Sequence, residues 1–261
     1  MSVVQEHGVG RIGGVEYAVI GDGGPVTVFA HGLGGSAAET RPLALRAPWT
    51  RVLLSFRGHG GSDALDDGWD YHLLAEDLLT VADHVGATGC VGLSLGCGAL
   101  LRILRDAPDR FARLAFVMPA SVDSARADGA TLRLEALGGA IDRGDVEAVT
   151  ALLLAEVPVE LRSRRAVPLL LARQAKTLVQ RPAPVPRTAD RPLEDRSVLR
   201  RVSTPTLVIG QEADLLHPLS LAREVAELMP AGRLLALPAG GVFWTATAQA
   251  QTALAEHLES T

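Results

Sequence analysis

The sequence predicts an α/β fold: a mostly parallel central sheet with helices on both faces, interrupted by a helical insertion. Three observations carry that reading. Short β-branched or aliphatic runs, bounded by turn residues, alternate with longer amphipathic stretches along most of the chain. The alternation stops after about Ser121, where two long helical patterns follow with no strand between them. Strand and helix then resume up to the C-terminal end.

Taken in order, residues 13–22 read as a hairpin with GDGG as its turn. VTVFA at 26–30 reads as a buried strand, followed by a helical pattern at 37–46. The next strands are 52–56, 90–93 and 114–118, separated by helices over 71–85 and 95–106. The insertion contributes helices over 132–155 and 161–180, then the Pro-rich connector RPAPVPRTADRP at 181–192. Strands at 206–209 and 234–237, with helices over 219–228 and 246–258, complete the sheet. The organisation is a core made of 1–120 and 196–261, with a helical lid and connector at 121–195.

Composition narrows the function classes. The chain has 261 residues, 48% apolar and 21% charged, enough to bury a large core without disulfides. A net charge of −5 leaves no excess of basic residues to neutralise phosphates, so nucleic acid is not an expected partner. Cys90 and Cys97 are the only cysteines, too few for a zinc site or a disulfide framework, and read as buried thiols. The first ten residues lack the basic and apolar regions of a signal peptide, and no run has the ~18 apolar residues of a membrane span. The expected location is cytoplasmic, with no membrane contact.

Three motifs carry the chemistry. GLSLG, Gly92 to Gly96, follows a strand and opens a helix, the context in which G-x-S-x-G projects a serine from a sharp turn. Ser94 is the candidate nucleophile. HGLGGS, His31 to Ser36, follows the strand at 26–30, so the N–H groups of Leu33 and Leu95 are candidate donors of an oxyanion hole. FRGHGGSD, Phe56 to Asp63, follows the next strand. In that order and at those intervals, the three motifs resemble the α/β-hydrolase superfamily over the whole chain.

The resemblance implies an α/β-hydrolase fold, a lid in the insertion, a small-molecule ester, lactone or thioester as substrate, and no metal or organic cofactor. It also implies a chain order of serine, acid, histidine. LVIGQEADLLHP places Asp214 beyond the strand at 206–209 as the acid, with Glu212 and Asp123 as alternatives. The family histidine follows the last strand, where this chain reads LPAGGVFWT and Val242 stands 28 positions after Asp214. The expectation is therefore an atypical or incomplete triad. His217, on the loop of Asp214, is a candidate base whose competing reading is a loop-packing residue. His31, Gly32, Val242 and Phe243 are expected to line the pocket. A second departure is Ser55, where R-G-H-G loops of the family carry an acid.

Without a base, a serine hydroxyl is a poor nucleophile. The sequence thus leaves three readings open: slow or unusual hydrolysis; non-hydrolytic proton transfer (lyase, isomerase or cyclase) by an Asp214 carboxyl raised by apolar surroundings; or a silent binder of a small molecule or protein. Between Arg162 and Arg201 eleven Lys or Arg face three acids, so an anionic substrate or an acidic carrier protein is a further expectation at the basic insertion.

Overall fold

The computed structural model describes residues 6–66, 68–124, 128–180 and 191–259. Eight strands form one sheet in the order β1-β2-β4-β3-β5-β6-β7-β8. They are β1 (Glu6–Ile12), β2 (Val15–Ile20), β3 (Val26–Ala30), β4 (Thr50–Ser55), β5 (Gly89–Leu93), β6 (Arg113–Val117), β7 (Thr206–Gln211) and β8 (Gly232–Leu237). β1–β2 and β2–β4 pair antiparallel; every pairing from β4 through β3 to β8 is parallel. The expected α/β-hydrolase architecture is therefore present, with one local correction. The hairpin is β1–β2, turning at Gly13 and Gly14, both at positive φ, as a two-residue turn between right-twisted strands requires. GDGG instead links β2 to β3.

Among the described residues, the α-helices are α1 (Ala37–Thr40), α2 (Tyr71–His84), α3 (Leu95–Asp106), α4 (Asp128–Asp142), α5 (Val146–Ala155), α6 (Ala166–Gln180), α7 (Leu219–Leu228) and α8 (Thr247–Glu259). The helix expected over 37–46 is one turn, α1, continued by irregular turns. The pattern at 132–155 breaks in two at Gly144, which takes positive φ between α4 and α5.

Two apolar layers sandwich the sheet. On one side α2, α3 and α7 bury Leu74, Leu78, Leu100, Leu101, Leu104 and Val225 against β3, β4, β5 and β6. On the other, α8 and the turns after α1 bury Leu254, Leu258, Leu43 and Ala44 against Phe29, Leu53, Val91 and Ile209. Strands buried on both faces explain why their sequences read as continuous apolar runs rather than alternating ones.

Between β6 and β7 lies the helical insertion. Ala140, Val149, Ala175 and Leu178 form a small core among α4, α5 and α6. A second cluster, Val157, Leu161, Val167 and Leu171, reaches Trp244 in the loop after β8. Leu171 packs there, whereas Leu169 and Leu170 are exposed. The connector residues 181–190 lie outside the described residues. Among the described residues, no helix is long and apolar enough to cross a membrane.

Candidate functional site

The strand–helix turn between β5 and α3 sets Ser94 in a strained backbone, φ 48° and ψ −100°. Few non-glycine residues sit there, and the position requires enforcement by its surroundings. Packing supplies it. A Cβ at Gly92 would lie 2.6 Å from the Gly96 carbonyl oxygen, and one at Gly96 would collide with the Ala30 carbonyl oxygen. Both outer glycines of G-x-S-x-G are thus needed for the bend to close and for α3 to lie on β3. The Ser94 N–H donates to Val117 O at 3.0 Å, pinning the turn to β6.

Beside it runs the Gly-rich turn after β3. Its His31 carbonyl accepts the Gly96 N–H at 3.0 Å, tying the turn to the start of α3. Gly32 is beside the serine: a Cβ there would be 3.5 Å from Ser94 Cβ. Among the described residues, no acceptor takes the N–H of Leu33 or Leu95. The Leu95 N–H thus opens α3 directly after Ser94, and the Leu33 N–H follows Gly32 in the neighbouring turn.

The loop after β7 supplies the rest. Ser94 Oγ–H donates to His217 Nε2 at 2.9 Å, and His217 Nδ1–H donates to Asp214 Oδ2 at 3.0 Å. Asp214 Oδ1 accepts the N–H groups of Leu216 and His217, each at 3.0 Å, folding the loop back on itself. Gln211 Nε2 donates to Asp214 Oδ2 at 2.8 Å. The histidine lies only three residues from the acid, and both are largely buried, with side chains 15% and 7% exposed. Pro218 follows directly and α7 begins at Leu219, so the loop is short and its exit fixed.

The expected elbow without an imidazole is corrected by this contact: a ring nitrogen faces the Ser94 hydroxyl. Burial alone would raise the Asp214 carboxyl, but hydrogen bonds from His217 and Gln211, with the attraction of the His217 ring, outweigh it and hold the group below the usual carboxylate range. The expectation of an Asp214 poised near neutrality as a lone acid or base is corrected with it. The carboxylate is ionised and turned to the imidazole.

Val242 occupies the position expected of the family histidine, and it is fully buried beneath α8 with Leu237, Ile209 and Leu254. Its N–H donates to Gln211 Oε1 at 3.1 Å, so Gln211 bridges the Asp214 carboxylate and the Val242 backbone. Sequence reasoning passed over Gln211; the signal was a polar residue ending an apolar strand at its carboxyl edge. Phe243 packs partly buried against the same core.

The pocket assignments of Val242 and His31 are also corrected, because neither has surface to offer a ligand. His31 is fully buried, accepts the Phe56 N–H on Nε2 at 3.0 Å and donates from Nδ1 to Gly32 O at 2.7 Å. Burial, and the charge of His59 beside it, push His31 down to about 3, so it is a neutral strut under the turn. Of the alternative acids, Asp123 is committed to Arg196, and Glu212 is exposed. Ser55, where an acid was expected, ties β4 to the start of α1: its Oγ accepts the Ala37 N–H at 3.1 Å. Burial pushes both thiols up, and Cys97 Sγ–H donates to Gly92 O beneath the elbow.

Several of the basic residues between Arg162 and Arg201 have structural partners. Arg162 donates to the carbonyls of Ala155 and Val157 at the end of α5. Arg191 bonds Asp123 O, Arg196 pairs with Asp123 and Glu224, and Arg201 bonds Arg105 O. Arg164, Arg165, Arg173 and Lys176 are exposed.

A profile described as "Alpha/beta hydrolase family" matches residues 27–256. The esterase RhEst1 from Rhodococcus sp. ECU1013 has a similar solved structure, with TM-score 0.74 and 20% identity, covering 98% of each chain. An esterase from Exiguobacterium antarcticum superimposes with TM-score 0.71 at 21% identity, over 94% of this chain and 96% of that one. In sequence, 148 residues are 32% identical to the dihydrolipoyllysine-residue acetyltransferase component of the acetoin cleaving system of Cupriavidus necator. That match covers 54% of this chain and spans 38% of the relative's length.

Proposed function

Because the chain belongs to the alpha/beta hydrolase family, we propose that it hydrolyses a small-molecule carboxylic ester, with lactones and thioesters as the related classes, through Ser94, His217 and Asp214. The observation that carries this is the 2.9 Å contact between Ser94 Oγ and His217 Nε2. His217 takes the hydroxyl proton as Ser94 attacks the carbonyl carbon, and Asp214 holds the ring in the tautomer that leaves Nε2 free. The N–H groups of Leu33 and Leu95 take the charge that develops on the carbonyl oxygen. The protonated His217 then gives its proton to the leaving alcohol. Water, deprotonated by the same nitrogen, releases the acid and restores the serine.

The acyl chemistry in the relatives' names, esterases and an acetyltransferase component, is of the same class. The exposed apolar side chains of Leu33 and Leu215, on the two loops that flank Ser94, favour an apolar acyl or alcohol group over a polar one. A series of p-nitrophenyl acyl esters tests the proposal. Turnover by the wild type that falls by about 10⁴-fold or more in Ser94→Ala is expected. Turnover that survives in Ser94→Ala would overturn it.

A further inference from the structure

Glu39 is a carboxyl beside the elbow for which the proposed reaction has no use. It lies in the single turn of α1 and reaches back over the Gly-rich loop, where Oε2 accepts the Gly32 N–H at 2.8 Å. The loop is shaped around it. A Cβ at Gly35 would collide with Glu39 Oε2. A Cβ at Gly32 would lie 3.3 Å from that oxygen and 3.5 Å from Ser94 Cβ. One glycine therefore separates the carboxyl from the serine, and the next residue is Leu33, whose N–H is free. Among the described residues, no lysine or arginine forms an ion pair with Glu39.

We propose that Glu39 is a positioning residue for the oxyanion turn that serves in its protonated form and disables the turn when it ionises. The proposal rests on the Ser94 hydrolase reading. Acyl transfer builds negative charge on the oxygen facing Leu33 and Leu95. A neutral carboxyl can keep the Gly32 hydrogen bond through one oxygen without opposing that charge. An ionised one on the same turn repels it, at a cost on the order of 10- to 100-fold in rate.

The surrounding titratable groups leave Glu39 to set this behaviour. His31, at the end of β3, is neutral, and its neighbour His59, a tilted ring from the loop after β4, is pushed down by burial. Asp214, after β7, is an anion turned to His217. Burial pushes Glu39 itself up to about 7, against the pull of the Gly32 N–H. The oxyanion turn is therefore at full strength below that value and weakened as pH rises through it.

The test is kcat/KM for a neutral ester from about pH 5 to about pH 9.5, in the wild type and Glu39→Gln. Glutamine keeps an acceptor for Gly32 and cannot ionise. A falling limb centred near 7 in the wild type, absent in Glu39→Gln, is the expected result. A wild type with no such limb, superimposable profiles, or a folded Glu39→Gln inactive at every pH would each overturn the proposal. Should the variant not fold, ¹³C NMR titration of the wild-type Glu39 carboxyl decides. Its midpoint must coincide with the falling limb, and a separation of more than about one unit contradicts the proposal. Ser94→Ala separates the two failures. Hydrolysis that persists there sinks the nucleophile reading itself, whereas Ser94-dependent hydrolysis with no Glu39 effect sinks only this inference.

Discussion

At the scale of single residues, two positions compete for the base of the proposed reaction. His217 has the contacts: Ser94 on Nε2 and Asp214 on Nδ1. Val242 has the sequence position, but its side chain is buried in the core under α8. Removing the imidazole in His217→Ala is expected to lower kcat by about 10⁴- to 10⁶-fold with little change in fold, read by ester turnover and circular dichroism. Val242→Ala should leave kcat within a few-fold of wild type while lowering unfolding free energy by about 2 kcal/mol, read by urea denaturation. Val242→His should not raise activity. It places an imidazole in an apolar cluster, with a loss of stability of at least that size. The placement of Ser94 and Asp214 was legible because each follows a strand at the sheet's carboxyl edge. His217 was legible only as an alternative, because family spacing points to position 242. Its role depends on a loop that folds through Asp214 accepting two backbone N–H groups, which spacing does not encode.

At the scale of elements, the elbow and the Gly-rich turn are one structure, joined by the Gly96 N–H bond to His31 O. Gly96→Ala must push α3 away from Ala30 and should therefore abolish Ser94 chemistry as well as destabilise the fold. The expected cost is roughly 1–3 kcal/mol, measured by thermal unfolding alongside ester turnover. Strand runs and long amphipathic helices were readable because each buries a continuous face. The region 37–46 was not, since only Ala37–Thr40 close a helical turn and the rest lies as turns that bury Leu43 and Ala44 under the sheet. The hairpin was misplaced by one strand because GDGG and the Gly13–Gly14 pair carry the same turn signal. For the insertion, the sequence expectation of an anionic substrate concerns exposed cations such as Arg164, Arg165, Arg173 and Lys176. A preference for anionic over neutral esters that fades as salt is raised would support it, and a salt-independent ratio would count against it.

At the scale of the whole molecule, two buried groups make stability depend on pH in opposite senses. His31 stays neutral in the folded protein down to about 3, whereas the unfolded chain protonates near 6.5. Its contribution is therefore complete above that unfolded value and is lost as pH falls toward the folded one, by at most about 5 kcal/mol. Glu39 is held protonated up to about 7 against 4.5 unfolded, so its contribution is complete below 4.5 and lost as pH rises through 7. Urea midpoints should fall as pH drops from the unfolded toward the folded value of His31, and His31→Gln should flatten that fall. In the layered core, the loop after β8 packs Trp244 against the apolar cluster of the insertion and buries Val242 in the core beneath the sheet. The most direct measurement of the central claim is the rate of fluorophosphonate labelling at Ser94 in wild type, His217→Ala and Val242→Ala. Fast labelling in wild type and Val242→Ala, with labelling nearly abolished in His217→Ala, is the expected result. Labelling of His217→Ala at the wild-type rate would contradict the claim that this imidazole activates the serine.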